Sequence, residues 1–197
     1  MIATQNPGKQ REFRELLAAV AAQTGAQLLV AGERGPAIDV AETGTSYAEN
    51  ASLKAVAQAQ ASGVIALSDD SGIEVAALGG APGLYSARFA GPGASDADRR
   101  HKLLHELSQV PAPRLARFVC AIAVALPVGA VRLFAGEVRG EIALAESGHG
   151  GFGYDPVFFV PEYGATMAAV PPEVKNTISH RARAVQAATP YLIEVLK

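Results

Sequence analysis

At 197 residues, 49% of them hydrophobic, the chain carries enough apolar side chain for one substantial core, which excludes intrinsic disorder and fits one large domain or a single body with two lobes. A net charge of −2 lacks the basic field that recruits nucleic acid or an anionic membrane, so neither is an expected partner, while a small anionic ligand held by a few placed cations is allowed. One cysteine, Cys120, precludes an internal disulfide, and no segment reaches the roughly 20 apolar residues that span a bilayer or resembles a signal peptide, so the expected compartment is the cytoplasm.

After a turn at Gly8, the spacing of Phe13, Leu16, Leu17 and Val20 predicts an amphipathic helix over residues 9 to about 22. Leu28 to Ala31 reads as a short strand. Ser46 and Glu49 form a capping-box pattern, and the alanine-rich run to Ala61 follows as a second helix. Residues 64 to 69 predict a buried strand entering SDDSG, 68 to 72. The Gly/Pro-rich segment 79 to 95 is an ordered-loop candidate, and Ser95 with Asp98 opens a third helix carrying Leu103, Leu104 and Leu107. In ARFVCAIAVAL both faces are apolar, which predicts a central strand with Cys120 as a small core residue. The turn PVGA then leads to VRLFAGEVRGEIAL, an antiparallel partner. A last helix starts near His180 and is expected to kink or restart at Thr189-Pro190. Strands and helices mix without strict alternation, so the expected fold class is α/β with a mixed sheet.

Polar residues gather in TQNPGK (4 to 9), ETGTSYAENASLK (42 to 54), SDDSG, and GHGGFGYDP with KNTISHR (148 to 181). TQNPGK ends like a phosphate-binding loop but has Ala3 and Gln10 where that motif needs glycine and a hydroxyl. What survives is a turn opening a helix, whose free N–H groups and Lys9 can hold a phosphate; a capped turn with a solvated lysine is the competing reading. GHGGFG matches G-x-G-x-x-G, yet Tyr154-Asp155-Pro156 follows where a helix should continue, so the dinucleotide reading is rejected. Phe152 among four glycines suits stacking on a flat ligand, against the plainer reading of a core phenylalanine. Tyr47, Asn50 and Lys54 share one helix face, and Glu42 precedes a flexible Thr-Gly-Thr turn as a candidate ligand. His101 and His105 have zinc-like spacing with nothing to complete a metal site, and read as surface residues. In SDDSG, strand parity sends Asp69 and Asp70 to opposite faces, so one can cap the turn while the other serves a site. Carboxylates, Lys9, Lys54, Lys175, Arg181 and an aromatic plane together suit a nucleoside polyphosphate with magnesium on hard oxygens.

In these residues the sequence resembles the inosine triphosphate pyrophosphatase family, enzymes that hydrolyse deaminated purine nucleoside triphosphates such as ITP, dITP and XTP. The match runs through TQNPGK, ETGTSYAENASLKA, SDDSGIEVAALGGAPGLYSARFAG, GHGGFGYDPVFF and KNTISHRARA, in the family's order, from residue 3 to about 184. The resemblance implies an elongated α/β fold with a long, bent mixed sheet flanked by helices, two lobes with a central cleft, Mg2+ dependence and a homodimer. It implies water attack at the α-phosphorus, giving a nucleoside monophosphate and pyrophosphate. By motif position, Asp70 is the implied catalytic carboxylate and ligates magnesium with Glu42. Ser71 matches a substrate-contacting position. Thr4, Asn6, Lys9, Lys54 and Lys175 match phosphate and substrate contacts, and Phe152, Gly153, Tyr154, Asp155, His180 and Arg181 match the nucleoside pocket. Arginine offers only donors, which suit a 6-oxo purine and clash with adenine's amino group. Ser68 replaces a frequent alanine, His149 occupies a variable position, and few strand residues precede Thr4. A nucleotide-binding regulatory module without turnover, or a pyrophosphatase with a different base preference, is the alternative.

Overall fold

The computed structural model describes residues 1–34 and 37–197. The chain divides into two compact units, Met1–Asp70 with Cys120–Gly136 and His180–Lys197, and Ser71–Val119 with Glu137–Ser179.

Six helices are present among the described residues: α1 (Pro7–Leu16), α2 (Ala18–Thr24), α3 (Tyr47–Ser62), α4 (Asp96–Glu106), α5 (Pro172–Ile178) and α6 (His180–Val195). The strands are β1 (Ala66–Val75), β2 (Leu115–Ala125), β3 (Val131–Ile142), β4 (Phe158–Val160) and β5 (Ala165–Thr166), hydrogen-bonded in that order in one sheet. β3 pairs antiparallel with β4 through Glu141 opposite Phe159, and β4 with β5 through Val160 opposite Ala165. Ile2 adds parallel bridges to Val30 and Leu67, so pairing of both senses occurs, as the mixed-sheet expectation requires. The few residues before Thr4 thus suffice for a single bridge on each side. No described helix is long and apolar enough to cross a membrane.

Several elements depart from the predicted ones: the strand expected at Leu28 to Ala31 is reduced to the bridge of Val30 with Ile2, and β1 continues through SDDSG to Val75. The helix expected over 9 to 22 is divided at Leu17, with φ −92° and ψ −3°, which closes α1 and opens α2. The break is local, because Leu17 N–H still bonds Phe13 O at 3.0 Å and Ala21 N–H bonds Leu17 O at 2.9 Å, and the apolar stripe continues through it. Conversely, α6 runs through Pro190 without restarting. Val185, Ala188 and Leu192 are buried on one face spanning the proline, and Thr189 Oγ1 bonds Val185 O at 2.9 Å, so packing overrides the local signal. The Gly/Pro-rich segment contains a 3-10 turn, Gly83–Arg88.

The first unit's core joins Phe13, Leu17 and Val20 to Ile122, Val124, Val185 and Leu192, with Cys120 buried among them as predicted. A second patch is nearly all alanine: Ala51, Ala55 and Ala59, four apart on α3, meet Ala66, Ala123 and Ala125. Short side chains let the helix lie close to the strands, which brings Asn50 and Lys54 to Asp70 in the middle of β1. The second unit packs Ile73, Leu103, Leu107, Phe118, Val138, Phe158 and Met167.

Gly136 on β3 is required by proximity, since a Cβ there would collide with His180 O and Ala184 N of α6. Gly136→Ala is expected to lower stability by at least the about 1–3 kcal/mol typical of overpacking, read from the urea midpoint. An unchanged midpoint would mean that α6 yields freely.

Candidate active site

The start of α1 is built by its own side chains. Asn6 is the N-cap and its Oδ1 accepts the Lys9 N–H at 3.0 Å, Pro7 occupies the first helical position, and Thr4 Oγ1 accepts the Asn6 N–H at 3.3 Å. With no acid in its first turn, this helix start keeps its positive end available. Lys9 Nζ lies 3.0 Å from Asp69 Oδ2.

Strand parity separates the two acids, as expected. Asp69 has no exposed surface and Asp70 is 8% exposed. Asp69 Oδ2 accepts from Arg181 Nη2 at 3.1 Å as well as facing Lys9, and Arg181 Nη1 reaches Glu12 Oε2 at 2.5 Å. Glu12, Arg181, Asp69 and Lys9 therefore form one chain of alternating charge, buried at Arg181 and Asp69 and partly exposed at its ends. The pKa of Arg181 is raised: burial opposes its charge, and Asp69 and Glu12 outweigh burial.

Asp70 looks elsewhere. Asn50 Nδ2 donates to its Oδ2 at 3.1 Å, while Asn50 Oδ1 accepts the Gly44 N–H at 2.8 Å, so one amide ties α3, the Thr-Gly-Thr turn and β1 together. A side chain at Gly44 would collide with Asn50 and Glu49. Glu49 accepts from the Thr45 N–H at 2.6 Å, one residue before the N-cap Ser46, whose hydroxyl accepts the Glu49 N–H at 3.2 Å. Lys54 Nζ sits 2.6 Å from Glu42 Oε1 and 3.7 Å from Asp70 Oδ1.

Burial raises the pKa of Asp70, and Lys54, Asn50 and Lys9 only partly counter it. The pKa of Lys54 is also raised, because Asp69, Asp70 and Glu42 together outweigh its own burial. The two directions are compatible: one ammonium faces several carboxylates, while each carboxylate shares that ammonium with its rivals. Glu42 and Asp70 turn hard oxygens toward one cation, the Lys54 ammonium, and are the residues that could hold a divalent ion, although no group of three or more His, Cys, Asp or Glu that could hold a metal is found among the described residues.

The second unit holds another group. Asp155 Oδ2 accepts the Phe152 N–H at 2.9 Å and lies 2.5 Å from Lys175 Nζ, which stands 5.6 Å from the Phe152 ring centroid. A side chain at Gly151 would run into Asp155 and Lys175, so this loop needs glycine there. Tyr154 is buried and donates to Ser86 O at 2.9 Å, a core anchor of the loop. Ser71, in this unit, continues β1 and is half-buried, whereas His180, in the first unit, is buried at the first position of α6.

The structure thus groups Thr4, Asn6, Lys9, Glu42, Lys54, Asp70 and Arg181 in the first unit, and Phe152, Gly153, Tyr154, Asp155 and Lys175 in the second. Sequence reasoning missed Glu12, whose signal was its place one turn after Lys9 on α1, and Asp96 and Arg100 of α4, whose backbone contacts left no signal.

Carboxylates, lysines and a capped helix start on an α/β scaffold make a site suited to phosphate groups. The chain belongs to the Ham1 family, whose profile matches residues 1–191. It is 46% identical over 200 residues to the dITP/XTP pyrophosphatase of Listeria monocytogenes, covering 100% of this chain and 96% of that protein. Against the dITP/XTP pyrophosphatase of Geobacillus kaustophilus the identity is 50% over 186 residues, covering 94% and 89%. The solved structure of the Staphylococcus aureus Ham1 protein is similar with a TM-score of 0.85 at 41% identity, covering 100% of this chain and 98% of that one.

Asp69→Asn leaves Arg181 and Lys9 short of a buried counter-charge, and is expected to cost about 3–5 kcal/mol in urea unfolding. A variant as stable as the parent would remove Asp69 from the structural role. Asp70 behaves oppositely. Its raised pKa means the folded state holds the proton more tightly, a contribution present at low pH and lost as pH rises through the folded-state value. Asp70→Asn should therefore melt above the parent near about pH 8, with the gap closing below about pH 4, the ordinary carboxylate range. A variant that melts lower at both would contradict this sign.

Proposed function

We propose that this chain is a pyrophosphatase of the nucleotide pool that hydrolyses deaminated purine nucleoside triphosphates, ITP, dITP and XTP, to the monophosphate and pyrophosphate with magnesium. The observation that carries the reading is the sharing of Lys54 between Glu42 and Asp70, next to an N-capped helix bearing Lys9. The relatives that carry the name dITP/XTP pyrophosphatase support the substrate class.

The triphosphate is tetra-anionic and repels a nucleophile, so its charge must be offset before water can attack. Lys9, Lys54 and the N–H groups at the start of α1 supply that in the first unit, with Thr4 and Asn6 shaping the turn. Magnesium, held by Glu42 and Asp70, would lower the charge on the phosphates. Asp70 orients a water and accepts its proton as the water oxygen bonds to the α-phosphorus. The bond from that phosphorus to the bridging oxygen breaks, and pyrophosphate leaves with the electron pair. A carboxylate whose pKa burial has raised is a better base than an ordinary aspartate, and its slight exposure leaves it open to water.

Phe152 supplies a stacking plane for the purine, held by Asp155 and Lys175, and Ser71 is assigned a substrate contact. His180 is assigned to the nucleoside. Arg181, bonded at both terminal nitrogens to Glu12 and Asp69, is assigned to holding Asp69 and through it Lys9. Preference for a 6-oxo purine needs donors where adenine would present its own amino group.

The test is a product assay on ITP, XTP, dITP, GTP and ATP, with magnesium or with chelator. Pyrophosphate from the deaminated nucleotides alone, lost on chelation, is expected. Release of orthophosphate without pyrophosphate would overturn attack at the α-phosphorus, and equal turnover of ATP would overturn the base preference. Asp70→Asn should lower kcat by at least about 100-fold, the lower bound of general base catalysis, while remaining folded.

A further inference from the structure

The loop that carries Phe152 is gripped from α4 by two side chains, Asp96 and Arg100. Asp96 Oδ2 accepts the Gly153 N–H at 2.8 Å, and Arg100 Nη1 donates to Gly153 O at 2.9 Å. Asp96 and Arg100 are four apart, so one face of the first turns of α4 presents an acceptor and a donor together. Both peptide groups of Gly153 are thereby fixed, at a residue whose φ is +63°. The preceding peptide is fixed too, through the Phe152 N–H on Asp155.

Arg100 does more than close one bond. Its Nε lies 3.0 Å from Glu146 Oε2, so the guanidinium spans both flanks of the glycine loop, with Glu146 before Gly148 and Gly153 after it. Asp96 is in turn held by Arg99, and Arg99 Nη1 bonds Ala87 O at 2.7 Å and Ala94 O at 2.8 Å. The clamp is anchored in the helix start and in the loop before it. Glycines on their own would leave the direction of the Phe152 ring free, because a residue without Cβ adopts many backbone angles.

We propose that Asp96 and Arg100 are positioning residues for the nucleobase: by fixing both peptides of Gly153 they hold the Phe152 ring in one orientation, and so set affinity for a flat purine. This rests on the reading of Phe152 as the stacking plane. The grip preorganises the ring, so its loss appears as weaker base binding, not as slower chemistry.

The chain contains no tryptophan, so Phe152→Trp places a single indole reporter at the stacking position. ITP is titrated into that variant, and separately kcat and KM are measured for ITP with the parent phenylalanine present. Asp96→Ala should raise KM about tenfold with kcat within about threefold, the scale of one lost charge-assisted hydrogen bond. It should weaken the indole titration by a similar factor. Asp96→Asn, which keeps an acceptor oxygen, should recover most of the loss, and Arg100→Ala should reproduce the Asp96→Ala pattern if that variant folds poorly. An unchanged KM in both Asp96→Ala and Arg100→Ala, or a fall in kcat alone, would overturn the clamp. An indole that does not respond to ITP would overturn the stacking reading itself, which separates the two failures.

Discussion

Removing Asp69 from water costs several kcal/mol unless strong partners are supplied, and the first unit is arranged to supply them. Its carboxylate has no exposed surface and meets Lys9 and Arg181 from two different helices. Each of those helices is thereby tied to β1 by charge as well as by apolar packing. Glu12 completes the set, so Arg181 is not left with a surplus charge of its own. The contact with Asp69 holds the Lys9 ammonium beside the first turn of α1, where an anion would meet both the ammonium and the N–H groups of the helix start. Structure and site thus rest on one buried charge.

The neighbouring acid is handled in the opposite manner. Asp70 has an amide and a shared ammonium as partners, and burial outweighs them, which leaves its charge under-stabilised. Two adjacent aspartates on one strand consequently have different characters, because alternation along the strand presents them to different helices. Asp69 looks to α1 and α6, and Asp70 to α3. A satisfied carboxylate makes a good anchor and a poor base; an under-stabilised one has a stronger demand for a proton or a metal ion.

Much of this was legible in the chain. Helical spacing and capping signals located α3 and α4, the doubly apolar run marked β2, and the separation of Asp69 from Asp70 followed from strand parity alone. The resemblance selected Asp70, which composition could not. What stayed hidden depended on contacts distant in sequence. The resemblance assigns Arg181 to the nucleoside, while its pairing with Glu12, 169 residues away, leaves no local trace in the sequence. The uninterrupted α6 is similar: Thr189-Pro190 gives the signal of a new start, and only the burial of Val185, Ala188 and Leu192 on one face reveals why the helix continues.

The glycine loop shows how the two kinds of information meet. Its sequence offers freedom, with positive φ at Gly148, Gly151 and Gly153, and freedom by itself makes a poor platform for an aromatic ring. Asp155 and Lys175 restrict it from within the same unit, and Tyr154 pins the next residue through Ser86 O. A side chain at Gly151 would occupy the space of the Asp155 and Lys175 pair, so the glycine is there to admit the ion pair and not to keep the loop loose. Gly151 marks the place where polar side chains approach the backbone closely enough to hold it still, whereas Gly148 and Gly150 face the Ala168 backbone.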